Sequence, residues 1–147
     1  MKVLLAIDYS IFSQAAMNAV IRQMQPDQTE VCVLHVVEPL SHLALAYRGQ
    51  AINIKAARRD SLNEGKQLVR RVKQLLSKAG FKAQEAVEEG DPRSAIIDHA
   101  ARWTADLIVV GSHGRKGLKR FLLGSVAEYV ARYARCSVLI VRMPSTR

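Results

Sequence analysis

The chain has 147 residues, a length that suits one compact domain with a single sizeable core. Apolar residues at 49% and charged residues at 24% exclude a disordered chain, and no segment approaches the ~20 apolar residues of a membrane span. The formal charge of +9 makes anions natural partners, either nucleic acid or the phosphates of a small ligand.

Val3-Leu4-Leu5-Ala6-Ile7 is a short, continuously apolar run, the mark of a strand buried on both faces, and Asp8 interrupts it. The run is too short for a secretory leader and lacks a small-residue cleavage site, so a cytoplasmic protein is expected. Ser10 or Ser13 can cap a helix that carries Ala16, Ala19, Val20 and Met24 on one side and ends by Pro26. Val31 to Val37 is a second buried strand, in which His35 reads as a core histidine. Cys32 and Cys136 lack CxxC spacing and read as small buried hydrophobes.

A long helix is expected over about Ile52 to Ala79, with Leu68, Val69, Val72, Leu75, Leu76 and Ala79 at helical spacing and Gly80 as its stop. Its basic residues, Arg58, Arg59, Lys66, Arg70, Arg71, Lys73 and Lys78, read as a solvated face. They are scattered and carry no interleaved aromatic residues, which argues against nucleic acid. Phe81 to Val87 alternates apolar and polar residues, as a strand near a sheet edge does. Glu88 and Glu89 follow, and as adjacent strand-end residues they point apart, against a shared acid–base role. Asp91 and Pro92 are an N-cap and first helical position for a helix burying Ile96, Ile97, Ala100 and Trp103. His42 and His99 have no partners at metal spacing. Asp106 to Val110 is a fourth strand, a helix from Ser125 shows Val126, Ala127, Val130, Ala131 and Ala134, and Ser137 to Val141 closes the order before a polar tail.

Apolar strands separated by helices demand a parallel sheet covered on both faces. Right-handed crossovers then favour one α/β domain over residues 1–147, an open Rossmann-like sheet of five strands in the order 3-2-1-4-5 with four helices. Strands 1 and 4 become neighbours whose following loops diverge, and ligands bind in that crevice. Asp8 ends strand 1, and Gly111-Ser112-His113-Gly114-Arg115-Lys116-Gly117 follows strand 4. Glycines permit close backbone approach and positive φ, so that N–H groups can converge on phosphate oxygens. Gly124-Ser125 opens the last helix, whose first amides lack partners, and Arg115 and Lys116 supply charge. The loop is neither a Walker A sequence nor a dinucleotide fingerprint, because the first turn, Asp8-Tyr9-Ser10, has no glycine.

The spacing Gly111-x2-Gly114-x9-Gly124-Ser125 resembles the nucleotide-binding motif of the universal stress proteins. The resemblance extends over the opening run ending in Asp8, the Val37 strand, the stretch from Asp106 to Gly114, and Ser137 to Val141. It implies the fold of the adenine nucleotide alpha hydrolases, a dimer, and bound ATP, ADP or AMP, with or without Mg. Carried over by position, Asp8 meets the ribose or adenine, Ala6, Ile7, Val37 and Val110 line the base, and Gly111, Ser112, Gly114, Arg115, Gly124, Ser125 and Val126 surround ribose and phosphates. Many ATP-binding members have proline where this chain has Ala6. His113 reads as a solvent-exposed loop residue.

A phosphorelay receiver would need an acidic pair after strand 1 and a lysine after strand 5, where this chain has Asp8 alone and Arg142-Met143-Pro144. A flavin carrier would hold phosphate after strand 1. With cations but no residue to position an attacking water, the sequence favours a nucleotide-dependent sensor over an efficient ATPase. Glu38 to Gly49, with Leu43, Leu45 and Tyr47, is a candidate lid, and the apolar edge strand Val138-Leu139-Ile140-Val141 a candidate homodimer seam.

Overall fold

Strands and helices alternate along the chain in a computed structural model that describes residues 1–40, 53–114 and 122–143. In chain order these are β1 (Lys2–Ala6), α1 (Ile11–Gln23), β2 (Glu30–Val37), α2 (Ile54–Lys78), β3 (Lys82–Glu89), α3 (Pro92–Trp103), β4 (Leu107–Gly111), α4 (Ser125–Tyr133) and β5 (Ser137–Val141). All pairings are parallel and the sheet order is β3-β2-β1-β4-β5, as the alternation of apolar runs requires.

Because strand side chains alternate between faces, the sheet has two cores. Val3, Leu5, Val31, Val33 and Val109 pack with Ala16, Met17 and Val20 of α1 and Val69 and Leu76 of α2. Leu4, Ala6, Cys32, Leu34, Ile108 and Val110 pack on the other face, with Ala95, Ile96 and Ala100 of α3 and Ala127 and Val130 of α4. The buried stretches of the central strands, Val3–Ala6, Val31–Leu34 and Ile108–Val110, are therefore apolar, whereas β3, at the edge, is mostly polar or half-buried.

Capping chemistry sets the helix bounds. Ser10 caps α1 by accepting from the Ser13 N–H, and Asp91 caps α3 by accepting from the Arg93 N–H with Pro92 behind it. At the end of α2, Gly80 takes φ +93, the Gly80 N–H donates to Ser77, and the Phe81 N–H donates to Leu76. This is a Schellman closure, and the side chains of Phe81 and Leu76 belong to one core cluster. Phe81 therefore ends the helix instead of starting the strand, and β3 runs on to Glu89 through an eight-residue ladder from Glu30↔Lys82 to Val37↔Glu89. The sequence pattern also missed the 3-10 turn at Pro26–Gln28.

Two expectations about charge change. The basic face of α2 is partly tied to the edge strand, Arg58 to Glu89 at 2.6 Å and Arg70 and Lys73 to Glu85 at 3.9 and 3.7 Å. Being exposed, these pairs orient the helix more than they stabilise it. His99 has partners from two strands: its Nδ1 lies 2.5 Å from Glu88 Oε1 and its Nε2 3.5 Å from Cys32 Sγ. Glu88 and Glu89 do point apart, Glu88 to His99 and Arg102 of α3 and Glu89 to Arg58 of α2. Burial, then Glu30 and Glu88, push the Cys32 thiol up to about 11, so it stays a protonated, buried group at neutral pH.

Partial burial pushes the Glu88 carboxyl up, but hydrogen bonds from His99 and Arg102, and their charge, outweigh it and hold the group below the ordinary carboxylate value. A carboxyl lowered on folding stabilises the fold above its unfolded value, and that stability is lost as pH falls through the folded value. Glu88→Gln should therefore lower the melting temperature near neutral pH, with the gap to wild type closing in strong acid. A gap that is the same at both pH values in thermal melts would contradict the assignment.

Candidate functional site

β1 and β4 are neighbours, Val3↔Leu107 to Leu5↔Val109, yet the chain leaves them for opposite faces. After β1 it enters α1, which packs with α2 on one core; after β4 it reaches α4, which packs with α3 on the other. The backbone thus opens a crevice at the carboxyl ends of these two strands.

Asp8 stands on the β1 side. Its Oδ1 accepts from the Ser10 N–H and the Ser13 hydroxyl, each at 2.8 Å, and its own N–H donates to Ser13 Oγ at 2.7 Å. The carboxylate is thereby oriented by the turn it caps, and its second oxygen lies beside Gly114: a Cβ at Gly114 would sit 2.9 Å from Asp8 Oδ2. Residues far apart in sequence thus meet across the crevice, and glycine is what lets them. His35 fixes the approach to this turn. It is 6% exposed, its Nδ1 lies 2.8 Å from the Ile7 carbonyl, and Tyr9 meets its ring edge-on. It is a satisfied core histidine, as its setting in β2 suggests.

The glycine loop is closed at its base by the Gly124 N–H donating to the Ser112 carbonyl at 2.8 Å. A Cβ at Gly124 would come within 3.1 Å of His113 Cα, and one at Gly111 within 2.7 Å of Phe12 Cβ and 2.9 Å of its carbonyl. None of Gly111, Gly114 and Gly124 takes positive φ, which among the described glycines belongs to Gly80 and Gly90. Close approach, not left-handed backbone, is why these positions are glycine. Gly124 is the N-cap of α4 and makes no side-chain capping bond, so the first-turn amides have no side chain from that position over them.

Ala6 and Val110 are buried together on the α3–α4 face, whereas Ile7 belongs to the α1–α2 core. Val37 is buried beside Gly65 of α2, where a Cβ would lie 3.4 Å from it. Ser112 is buried, Gly111, Gly114, Gly124 and Val126 are half-buried, and Ser125 is exposed at the helix start. Arg115 and Lys116 lie outside the described residues, as does the candidate lid beyond Leu40, with His42, Leu43, Leu45 and Tyr47.

The sequence reading missed Ser10 and Ser13 as holders of Asp8, although Asp-x-Ser-x-x-Ser is a visible signal for a capped turn. It also misjudged His113. That residue is half-buried, its ring packs 5.2 Å from Phe12, and its Nδ1 lies 3.2 Å from Ser112 Oγ. Its Nε2 is buried with no hydrogen-bond partner.

A separate cavity of about 490 Å³ runs along the first half of α2, lined by Asn53, Lys55, Arg58, Leu62 and Lys66 among others, and takes in none of the glycine-loop residues. Convergence of Asp8 with the loop makes the crevice the stronger candidate. Among the described residues no three His, Cys, Asp or Glu side chains gather to hold a metal ion, and no helix is long and apolar enough to cross a membrane.

Comparison with known proteins agrees with this fold. Residues 1–142 match the model of the universal stress protein family. The chain is 34% identical to universal stress protein YxiE of Bacillus subtilis over 146 residues, covering 96% of this chain and 98% of that protein. The solved structure of hypothetical protein MJ0577, described as a structure-based assignment of biochemical function, superposes with a TM-score of 0.84 at 28% identity, covering 99% of this chain and 97% of that one. An Arabidopsis thaliana family protein with AMP bound shares the fold at 19% identity and a TM-score of 0.68, covering 99% and 93%.

The tight fit of Gly111 against Phe12 has a measurable consequence. Gly111→Ala must push the first turn of α1 away from β4 and should cost about 1–3 kcal/mol in chemical denaturation. Wild-type stability would show that this turn gives way freely.

Proposed function

The chain belongs to the universal stress protein family, and from that premise we propose that it is an adenine-nucleotide-binding regulator, not an efficient catalyst. The observation that carries this reading is the meeting of Asp8 with Gly114 at the switch point, where a Cβ on the glycine would lie 2.9 Å from the carboxylate. Solved proteins of this fold in complex with AMP, cAMP and dAMP support the ligand class.

In this reading residues 1–147 form one nucleotide-binding domain. Asp8 engages the ribose or adenine, beside a base pocket walled by Ala6, Ile7, Val37 and Val110. Gly111, Ser112, Gly114, Gly124, Ser125 and Val126 enclose ribose and phosphates, with Arg115 adding charge. At Gly114 a Cβ would fill the space before the Asp8 carboxylate, whereas at Gly111 and Gly124 it would meet Phe12 and the loop's own backbone. ATP is the ligand that uses the whole site, and Mg would arrive on its phosphates. The location is cytoplasmic, where adenine nucleotides are abundant.

Slow turnover follows from the way Asp8 is used. Its Oδ1 is already held by Ser10 and Ser13, so the carboxylate is committed to shape and poorly suited to orienting an attacking water. Dimerisation is the remaining part of the reading. β5 pairs with β4 on one side only, and its Val138, Leu139, Ile140 and Val141 are half-buried, so antiparallel pairing with a second copy would satisfy its outer backbone groups.

Gly114→Val should abolish ATP binding in calorimetry while the domain stays folded, because a branched side chain would fill the space before the Asp8 carboxylate. Equal affinity in a folded variant would contradict the placement. Steady-state ATP turnover should fall below ~1 s⁻¹, and a faster rate would overturn the regulator reading. Ile140→Pro should convert the dimer to monomer in light scattering; an unchanged mass would place the interface elsewhere.

A further inference from the structure

We propose that the outer edge of β3, with the cationic side of α2 beside it, is a docking edge for an extended acidic peptide segment of a partner protein. β2 separates this edge from β1 and the crevice, so the surface is independent of the nucleotide reading.

The edge is open and regular. Among the described residues β3 pairs with β2 alone, so the N–H and C=O groups of alternate residues point outward. The ladder runs one to one from Glu30↔Lys82 to Val37↔Glu89 without a bulge, and the strand holds neither proline nor glycine. None of its eight residues is buried, whereas β2 is buried from Val31 to Val37. Edge strands are commonly blunted by shortness, proline, bulges or charge. Here the charges are turned in. Glu85 lies between Arg70 and Lys73, Glu89 pairs with Arg58, and Glu88 pairs with His99 and Arg102. The rim is left as unpaired backbone.

Charge decides what fits it. Lys55, Arg59, Lys66, Arg70 and Lys73 recur at steps of three, four or seven residues, which places them in one stripe along α2. The pairs from Arg70 and Lys73 to Glu85 show that this stripe runs beside β3. Lys55 and Lys66 make no ion pair among the described residues, and both line the cavity of about 490 Å³, whose described lining holds no carboxylate. A strand added to β3 would send every second side chain to the α2 face. Two strand residues advance about 6.6 Å, close to the ~6 Å that four helical residues span. Acidic residues at every second position therefore keep step with the stripe. Only a polypeptide also supplies the N–H and C=O groups that the open rim can bond, which favours a peptide over nucleic acid. A second copy of this chain would bring its own cations against these, and like charges oppose that pairing.

The test uses the full-length protein and a fluorescent synthetic peptide of alternating valine and glutamate, as long as β3. Anisotropy reads affinity, and amide hydrogen exchange reads location. Saturable binding is expected, with exchange slowed along β3 and unchanged along β5. Lys55→Glu combined with Lys66→Glu breaks no ion pair among the described residues and should weaken binding by about tenfold or more. A valine–glutamine peptide should be weakened likewise, and a valine–glutamate peptide N-methylated along one side of its backbone should lose the protection of β3. Absence of saturable binding, slowed exchange away from β3, or undiminished binding in the charge-reversed protein or of the N-methylated peptide would overturn the proposal. So would protection of β3 that rises with protein concentration without peptide, because a second copy would then hold the edge. Displacement of the peptide by oligothymidylate of equal charge would also overturn it, assigning the stripe to nucleic acid.

Discussion

Parallel pairing of β1 with β4 is the constraint on which the site depends. The ladder from Val3↔Leu107 to Leu5↔Val109 holds two strand ends side by side whose continuations go to opposite faces of the sheet. The helices that follow, α1 and α4, are buried on opposite cores. What remains is a crevice built by topology before any particular side chain enters it. The buried apolar pairs of the central strands keep it open at the expense of no polar group, and the polar chemistry is added at the rim.

The rim works by close approach. Gly111 lets α1 press its first turn onto the end of β4, Gly114 lets the loop reach the Asp8 carboxylate, and Gly124 lets the loop close on Ser112. A side chain at any of the three meets backbone or carboxylate within about 3.2 Å. Asp8 is held by Ser10 and Ser13, and the strand before it by His35 through the Ile7 carbonyl. The Asp8 turn is therefore held by the protein's own groups.

Much of this was legible in the sequence, for identifiable reasons. Val31 to Leu34 and Leu107 to Val110 are apolar without interruption, which only a strand covered on both faces tolerates, so order and layers follow. Asp91-Pro92 and Gly80 are local signals that act within one turn and were read at the right positions. Asp8 and the glycine loop were placed in one crevice by topology. What escaped were consequences of packing between distant segments. Phe81 has the composition of a strand residue but serves as the hydrophobic end of a Schellman closure with Leu76. His99 and Cys32 meet only because α3 crosses β2, and His113 is half-buried only because Phe12 comes from another element. The glycines' φ angles could not be read either, since the same residue serves close approach and left-handed backbone alike.

The central claim is that Asp8 and the glycine loop form one adenine-nucleotide site. An amide-resolved NMR titration of nucleotide-free protein with ATP tests it most directly, because it reports binding and location together. The account predicts that the amides of Asp8, Gly111, Gly114, Gly124 and Ser125 shift along one saturating isotherm. No shifts at saturating ATP, or shifts confined to the cavity along α2 near Lys55 and Lys66, would contradict it.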